Sequence, residues 1–201
     1  ASEAQALSTR ATSLATRAAA AGFTGAPTVA TKVIVSDVDR HVIVFGADPF
    51  TDIGTQDPLL IRFSDQENAI DWTPTATNTA GDLTLGSGSK IETAVETRQQ
   101  ILVFTDISLY SMQFIGPPFT FGVNMISENI TIRGPLAAVA VDDAVYWMGK
   151  NEFYVYNGGV QKLSCTVRDF VFSDFNENQA EKCFASLNSA SSAPLNTLPQ
   201  N

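Results

Sequence analysis

A strand, a turn and a second strand follow one another in the central stretch Gln100-Ile101-Leu102-Val103-Phe104-Thr105-Asp106-Ile107-Ser108-Leu109-Tyr110-Ser111-Met112-Gln113-Phe114. The first strand (101–104) is wholly apolar. The second strand (109–114) alternates, so that Tyr110, Met112 and Phe114 share one face. Because successive side chains of a β-strand point to opposite faces, the stretch predicts a hairpin whose second strand has two unlike faces.

The same unit recurs on both sides of this hairpin. An earlier copy is Arg40–Asp48, with its return strand delayed to Leu59–Phe63, and a later copy is Asp143–Gly158. The apolar strands start near Val42, Ile101 and Val145. Repeats of roughly 40–50 residues made of four short strands are typical of β-propeller blades. An ordinary β-sandwich built from hairpins is the alternative interpretation.

We therefore predict an all-β chain of partial, β-propeller-like blades, each an antiparallel four-stranded sheet. Residues 27–190 form this domain. Residues 1–26, rich in alanine and ended by Gly25-Ala26-Pro27, predict a short N-terminal arm that is helical or disordered. Residues 191–201 form a C-terminal tail. Cys183–Leu187 alternates like a strand, but no returning strand follows, so we expect a truncated chain or a partner that completes the sheet.

Other elements are predicted from local signals. Gly116–Gly122 holds two prolines and two phenylalanines and predicts a rigid, exposed connection that packs on a partner. We expect subunit contacts here, at Gly116, Pro117, Pro118, Phe119 and Phe121, and in the N-terminal arm. Ile126–Ile132 and Val160–Val167 predict strands. Asp174 and Glu177 have the spacing of a capping box and predict a short helix through Lys182.

The charge of the chain argues against tight nucleic-acid binding. The formal net charge is −9 at pH 7, whereas a protein that neutralises phosphates needs a basic surface. DNA sliding past an acidic surface remains compatible with this charge, because repulsion prevents sticking. No apolar run reaches the ~20 residues of a membrane helix, and the N-terminus does not resemble a signal peptide.

The residues that most often carry chemistry are few. Cys165, Cys183 and His41 form no motif with zinc-ligand spacing, so we predict no metal and no cofactor. The cysteines are predicted as two separate buried thiols, with a disulfide as the alternative. His41 is predicted in a turn or packing role. Asp37, Asp39, Asp142 and Asp143 could supply paired carboxylates for hydrolysis or calcium, but acidic residues at hairpin turns are explained by local hydrogen bonds. We predict no catalytic residue.

Several long peptide runs are similar to the tail nozzle proteins of short-tailed phages, also called phage stabilisation or head-completion proteins. The runs are His41-Val42-Ile43-Val44-Phe45-Gly46, Asp57–Glu67, Trp72–Gly81, Glu96–Val103 and the continuation through Ile115–Phe119. The resemblance covers roughly residues 27–190. Members of that family are longer and continue with an aromatic-rich strand after the position of Ser191. The resemblance therefore implies a fragment or a shortened relative.

In that family, propeller-rich subunits form a ring at the bottom of the tail, which extends the DNA channel and retains packaged DNA until ejection. The resemblance implies a structural virion protein of the phage tail and not an enzyme. Its partners would be copies of itself in a ring and portal, adaptor or other tail proteins, with DNA passing without sequence-specific binding.

Two other functions remain open at this stage. A receptor- or glycan-binding propeller on a virion would expose Trp72 and Trp147 in a pocket. The aromatic group of Tyr146, Trp147, Tyr154 and Tyr156 would serve such a site, although core packing within a blade explains it as well. A carboxylate hydrolase would depend on Asp142 and Asp143.

Overall fold

The structure, a computed structural model, describes Phe23 and residues 25–187. Residues 1–22 of the predicted arm and the whole predicted tail (191–201) lie outside the described residues. The predicted fold class is confirmed for the described part of the chain. Its strands form three antiparallel sheets of four, and in each sheet the strands pair in chain order. No sheet in this part of the chain closes into a barrel.

The three sheets share one meander topology. The first contains β1 (Lys32–Ser36), β2 (His41–Phe45), β3 (Leu60–Phe63) and β4 (Gly81–Thr84). The second contains β5 (Ile91–Glu96), β6 (Ile101–Thr105), β7 (Ser108–Gly116) and β8 (Thr120–Glu128). The third contains β9 (Ala138–Val141), β10 (Ala144–Met148), β11 (Phe153–Tyr156) and β12 (Val160–Lys162). The repeated apolar strands of the sequence are thus β2, β6 and β10, the second strand of each sheet.

The sheets are stacked face to face in chain order. The first strands lie against one another, β1 against β5 and β5 against β9, as expected for neighbouring propeller blades. One apolar core fills the space between the first and second sheets, with Phe45, Phe63, Val103 and Tyr110 among its members. A second core fills the space between the second and third sheets and includes Phe104, Leu109, Val145 and Trp147.

Strand β6 is buried on both faces. Its five residues are all buried. Ile101 and Val103 point into the core shared with the first sheet, whereas Leu102 and Phe104 point into the core shared with the third sheet. The strand is wholly apolar because its sheet is central and covered on both faces. Strands of buried parallel sheets are continuously apolar for the same reason.

The outer face of the first sheet is covered by loops of the same chain. Trp72 and Ala47 pack on Val44 of β2 and Leu60 of β3. Buried Asp48 fixes this cover, because its carboxylate accepts hydrogen bonds from the Thr28 amide (2.9 Å), the Thr28 hydroxyl (2.6 Å) and the Gly54 amide (2.8 Å). Burial alone would raise the pKa of the Asp48 carboxyl, but these hydrogen bonds, with one from the Val29 amide, outweigh it and the pKa is lowered.

Several element boundaries differ from the sequence predictions. The connection Gly116–Gly122 is shorter than predicted, because β7 runs to Gly116 and β8 begins at Thr120. The predicted strand Ile126–Ile132 ends at Glu128, and Val160–Val167 ends at Lys162. Cross-strand pairing between two nine-residue strands outweighs the turn signal of Pro117-Pro118 and confines the turn to residues 117–119.

The C-terminal part of the described chain also departs from prediction. An unpredicted helix, α1 (Arg168–Ser173), precedes a 3₁₀ helix (Glu177–Lys182). Asn176 caps this second helix by accepting a hydrogen bond from the Asn178 amide, so the predicted cap at Asp174 is wrong. Residues 183–187 form one parallel bridge, Leu136 to Phe184, and not a full strand.

We expect Ile101→Ala and Leu102→Ala to destabilise the protein about equally, although the two side chains point to opposite faces of β6. Each substitution leaves a cavity in a packed core, which typically costs about 2–5 kcal/mol of unfolding free energy. Urea unfolding measures both. Val35→Ala, at an exposed position of β1, is the control and should change the unfolding free energy by less than about 0.5 kcal/mol. A cost confined to one of the two β6 variants would contradict the two-sided burial.

Candidate subunit-contact site

The long β7–β8 hairpin carries the predicted contact residues at its tip. Strand β6 pairs with β7 only as far as Met112, so the hairpin continues beyond the rest of the sheet as a two-stranded ribbon. Gly116 has a φ of +77°, and Pro117-Pro118 is a cis peptide. Phe119 at the tip is 73% exposed, and Ile115 and Met125 add further exposed apolar side chains.

The predicted contact residues divide into two sets. Pro117, Pro118 and Phe119 are exposed, and Gly116 is half-buried. Phe121 is buried in the core between the first and second sheets. Its ring packs edge-on against Phe63, with ring centroids 4.9 Å apart. Phe121 therefore anchors the hairpin to the first sheet and is removed from the candidate contact surface.

His41 lies at the foot of the hairpin and is almost completely buried. Its ring meets Phe114 and Phe121 of the hairpin at centroid distances of 5.7 and 5.1 Å. Nδ1 lies 2.7 Å from the Asp39 carbonyl oxygen, which can only accept, so Nδ1 donates. Nε2 lies 3.2 Å from the Thr79 hydroxyl oxygen. The structure thus places His41 in packing, the role that the sequence predicts for it.

The environment of His41 favours the neutral ring. Burial lowers the pKa of His41, and the hydrogen bond to Asp39 and the charges of Asp39 and Asp65 oppose this only in part. A protonated His41 would bring a charge among three aromatic rings.

The predicted carboxylate pairs do not come together as one site. Asp37 and Asp39 lie near Glu96. Burial raises the pKa of the Glu96 carboxyl, a hydrogen bond with Ser36 opposes this rise, and the charges of Asp39 and Asp37 add to it. Asp142 instead faces Arg98, with Nη2 to Oδ1 at 3.5 Å on an exposed surface. Sequence reasoning missed Glu96, because only the contact of β1 with β5 brings it to the turn after β1.

The aromatic residues weighed for sugar binding belong mainly to the core. Trp72 and Trp147 are 4% and 2% exposed. Trp147 stacks on Tyr154 at 5.3 Å and donates from Nε1 to the Thr131 carbonyl at 3.3 Å. The Tyr156 hydroxyl accepts a hydrogen bond from Gln100. Both tryptophans are therefore almost fully buried, and Tyr146 alone of this group is exposed.

The next features are the two cysteines, groups of metal-ligating side chains and apolar helices, each considered within the part of the chain that the structure describes. Cys165 and Cys183 are separate free thiols, as predicted, but both are half-buried, so the predicted burial is wrong. Burial raises the pKa of the Cys183 thiol, with the nearby Arg133 opposing it. Within residues 25–187, no group of three His, Cys, Asp or Glu side chains could hold a metal ion. No helix among the described residues is long and apolar enough to cross a membrane.

Comparison with models of known protein families and with curated proteins found no match for the chain. No known protein family matches it, and no curated protein matches it either. Its function is therefore inferred from the residues and the geometry.

We expect His41 to make the unfolding free energy dependent on pH near neutrality. The folded-state pKa lies below the ordinary value of 6.5, so the unfolded chain binds a proton first as pH falls. Stability is fully present above pH ~6.5 and decreases as the pH falls towards the folded-state pKa. Denaturant unfolding at pH 7.5 and 5.5 measures the decrease, and His41→Gln should reduce it. An equal decrease in both proteins would contradict the assignment to His41.

Proposed function

We propose that the chain is a structural component of a phage tail or head–tail assembly that acts by association with copies of itself and with portal, adaptor or other tail proteins. The main support for the proposal is the projecting tip of the β7–β8 hairpin. Phe119 and Ile115 are exposed there, at the end of a ribbon of two nine-residue strands. Exposed apolar side chains on such a projection favour contact with another protein. The resemblance of several peptide runs to tail nozzle proteins favours the same class.

The stacked sheets support this role. Closed propellers have at least four blades, and the described residues provide three sheets. Among the described residues, a stack of this kind leaves several strand edges, which favour pairing with neighbours. In the proposed assembly, copies arranged as a ring surround the path of the DNA.

The charge of the chain suits passive DNA passage. At pH 7 the formal net charge is −9, and like charge keeps phosphates from binding to a channel wall. The proposed role needs no cofactor and no catalytic group. Buried His41 and the solvent-facing carboxylates then serve the fold and the surface charge.

The proposal is tested by the copy number of the chain in purified phage particles. Mass spectrometry of intact virions, with an electron-microscopy count, should show several copies arranged as a ring at the tail. The absence of the chain from particles, or a single copy at a fibre tip, would contradict the proposal.

The hairpin contact is tested by substitution. We expect Phe119→Ser to reduce incorporation into particles at least about tenfold, since loss of a buried aromatic contact typically costs 2 kcal/mol or more at an interface. Ile53→Ser, at a position of the 46–58 loop that is also well exposed, is the matched control and should be incorporated normally. Normal incorporation of Phe119→Ser would show that the hairpin tip makes no contact that the assembly needs. The copy-number test of the virion role would still stand.

A further inference from the structure

The core between the first and second sheets ends in polar side chains at the place where β1 and β5 meet. Ile34 of β1 packs on this core, and Ala94 of β5 belongs to it. Side chains two residues apart point to the same face of a strand, so Ser36 and Glu96 extend these faces to the ends of the two strands. The two side chains form a hydrogen bond there, and Ser36 is buried.

The hydroxyl group of Ser36 serves two carboxylates with one proton. Its oxygen lies 3.5 Å from Oδ2 of Asp39, in the turn after β1, and accepts a hydrogen bond from the Asp39 amide at 3.1 Å. The same hydroxyl is the hydrogen-bond partner of the Glu96 carboxyl group. A serine hydroxyl donates only one proton. When Asp39 and Glu96 are both ionised, one of the two carboxylates therefore lacks a donor from Ser36.

Glu96 also has an oxygen atom without a partner. Its Oε1 is buried, and no described residue forms a hydrogen bond with it. A buried charge that is not paired costs free energy. An ionised carboxylate only accepts hydrogen bonds, whereas a protonated carboxyl group also donates one. A proton on Glu96 removes the charge and lets Glu96 donate to the Ser36 oxygen, which leaves the Ser36 proton for Asp39.

The acidic residues of the turn after β1 make the ionised form of Glu96 still less favourable. Burial is the main reason that the pKa of Glu96 is raised, and the charges of Asp39 and Asp37 add to the rise that the hydrogen bond with Ser36 opposes. Burial also raises the pKa of Asp39, against the charge of His41 and the hydrogen bond with Ser36. Asp39 and Glu96 therefore hold a proton at a higher pH in the folded protein than in the unfolded chain.

The arginines of the surrounding turns face other acids. Arg40, in the turn after β1, forms an ion pair with Glu67. Arg98, in the turn after β5, approaches Asp142 of the β9–β10 turn, with Nη2 to Oδ1 at 3.5 Å. The charges that act on Glu96 are those of acidic residues. Neither arginine therefore neutralises Glu96.

We propose that Glu96 is a pH-sensitive contact between the first and second sheets. As the pH falls from neutral, the Glu96 carboxylate takes up one proton from solvent. Hydrogen bonds from Glu96 to Ser36 and from Ser36 to Asp39 then join β5 to the end of β1 and the turn after it. As the pH rises, Glu96 ionises, its hydrogen bond to the Ser36 oxygen is lost, and its charge repels Asp37 and Asp39. The proposal does not depend on the virion role or on the hairpin tip.

The pH dependence due to Glu96 is opposite in sign to that of His41. The folded-state pKa of Glu96 lies above the ordinary value of 4.5. Its contribution to stability is therefore fully present below pH 4.5 and is lost as the pH rises through the folded-state pKa. His41 pairs with Ser36 across β1 and β2 and has a lowered pKa, so its contribution is lost as the pH falls. Glu96 thus offsets part of the decrease expected from His41.

The test compares urea unfolding of the purified 201-residue chain and its Glu96→Gln variant between pH 7.5 and 4.5. Glutamine keeps the size of the side chain and does not ionise. We expect the unfolding midpoint of the variant to be shifted to higher urea at pH 7.5, and the shift to shrink as the pH approaches 4.5. Amide hydrogen exchange of β1 should be slower in the variant than in the wild type at pH 7.5. In an Asp39→Asn background, which lacks the repulsion, Glu96→Gln should shift the midpoint less.

Glu92→Gln is the matched control, because it removes the same charge from the same strand. Glu92 has a basic partner, Lys90, at 2.8 Å, so this variant should not raise the midpoint at pH 7.5. A Glu96→Gln midpoint at or below that of the wild type at pH 7.5 would overturn the proposal, because it would show that the ionised carboxylate is stabilised there. An equal shift at pH 7.5 and 4.5, or an equal shift in Glu92→Gln, would also overturn it in favour of packing or overall charge.

Discussion

The two-sided burial of β6 is the constraint on which the rest of the structure depends. A strand with apolar side chains on both faces is stable only when each face packs against another sheet. Ile101 and Val103 require the first sheet, and Leu102 and Phe104 require the third. The order of the stack, with the second sheet in the middle, follows from this single strand. So does the position of the aromatic residues, because Trp147 and Phe104 meet edge-on at 5.2 Å between the sheets.

At each end of the stack, the segment that packs on the outer sheet is held by an arginine stacked on a phenylalanine ring. At the first sheet, buried Arg62 lies over the ring of Phe50 at 3.5 Å and donates to the carbonyl oxygens of Asp48 and Gly25. At the third sheet, Arg133 lies over the ring of Phe175 and pairs with Glu177. An arginine suits this position because its flat guanidinium can stack on an aromatic ring while its N–H groups donate in the plane.

The covers differ in what they bury. The first brings Trp72 onto the sheet and closes a small apolar core there. The second brings Phe172 and Cys183 to the margins and leaves Phe170 and Phe184 outside. Among the described residues, the three most exposed phenylalanines are therefore Phe170 and Phe184 of the C-terminal segment and Phe119 of the hairpin tip. Residues of types that often carry chemistry are engaged in local structure: Asp65 accepts from the Thr79 amide and hydroxyl, and Asp106 accepts from the Ser89 amide and hydroxyl.

The sequence by itself determined the strands and their repetition. The apolar runs at β2, β6 and β10 and the turn residues between strands, such as Asn157-Gly158-Gly159, depend on local backbone preference and on alternation with a period of two. These signals lie within a few residues, so they can be read without the fold. The peptide runs that resemble tail nozzle proteins were also visible at this level, and they remain the basis of a proposal.

Only the tertiary structure decided which faces are covered. Phe119 and Phe121 are two residues apart and chemically identical, yet one is exposed and the other is buried against Phe63. Glu96 approaches Asp37 and Asp39 only because β5 packs beside β1. The helix α1 escaped prediction because six residues without a buried side chain leave no periodic pattern. Burial depends on contacts between residues far apart in the chain, and local sequence carries no information on those distances.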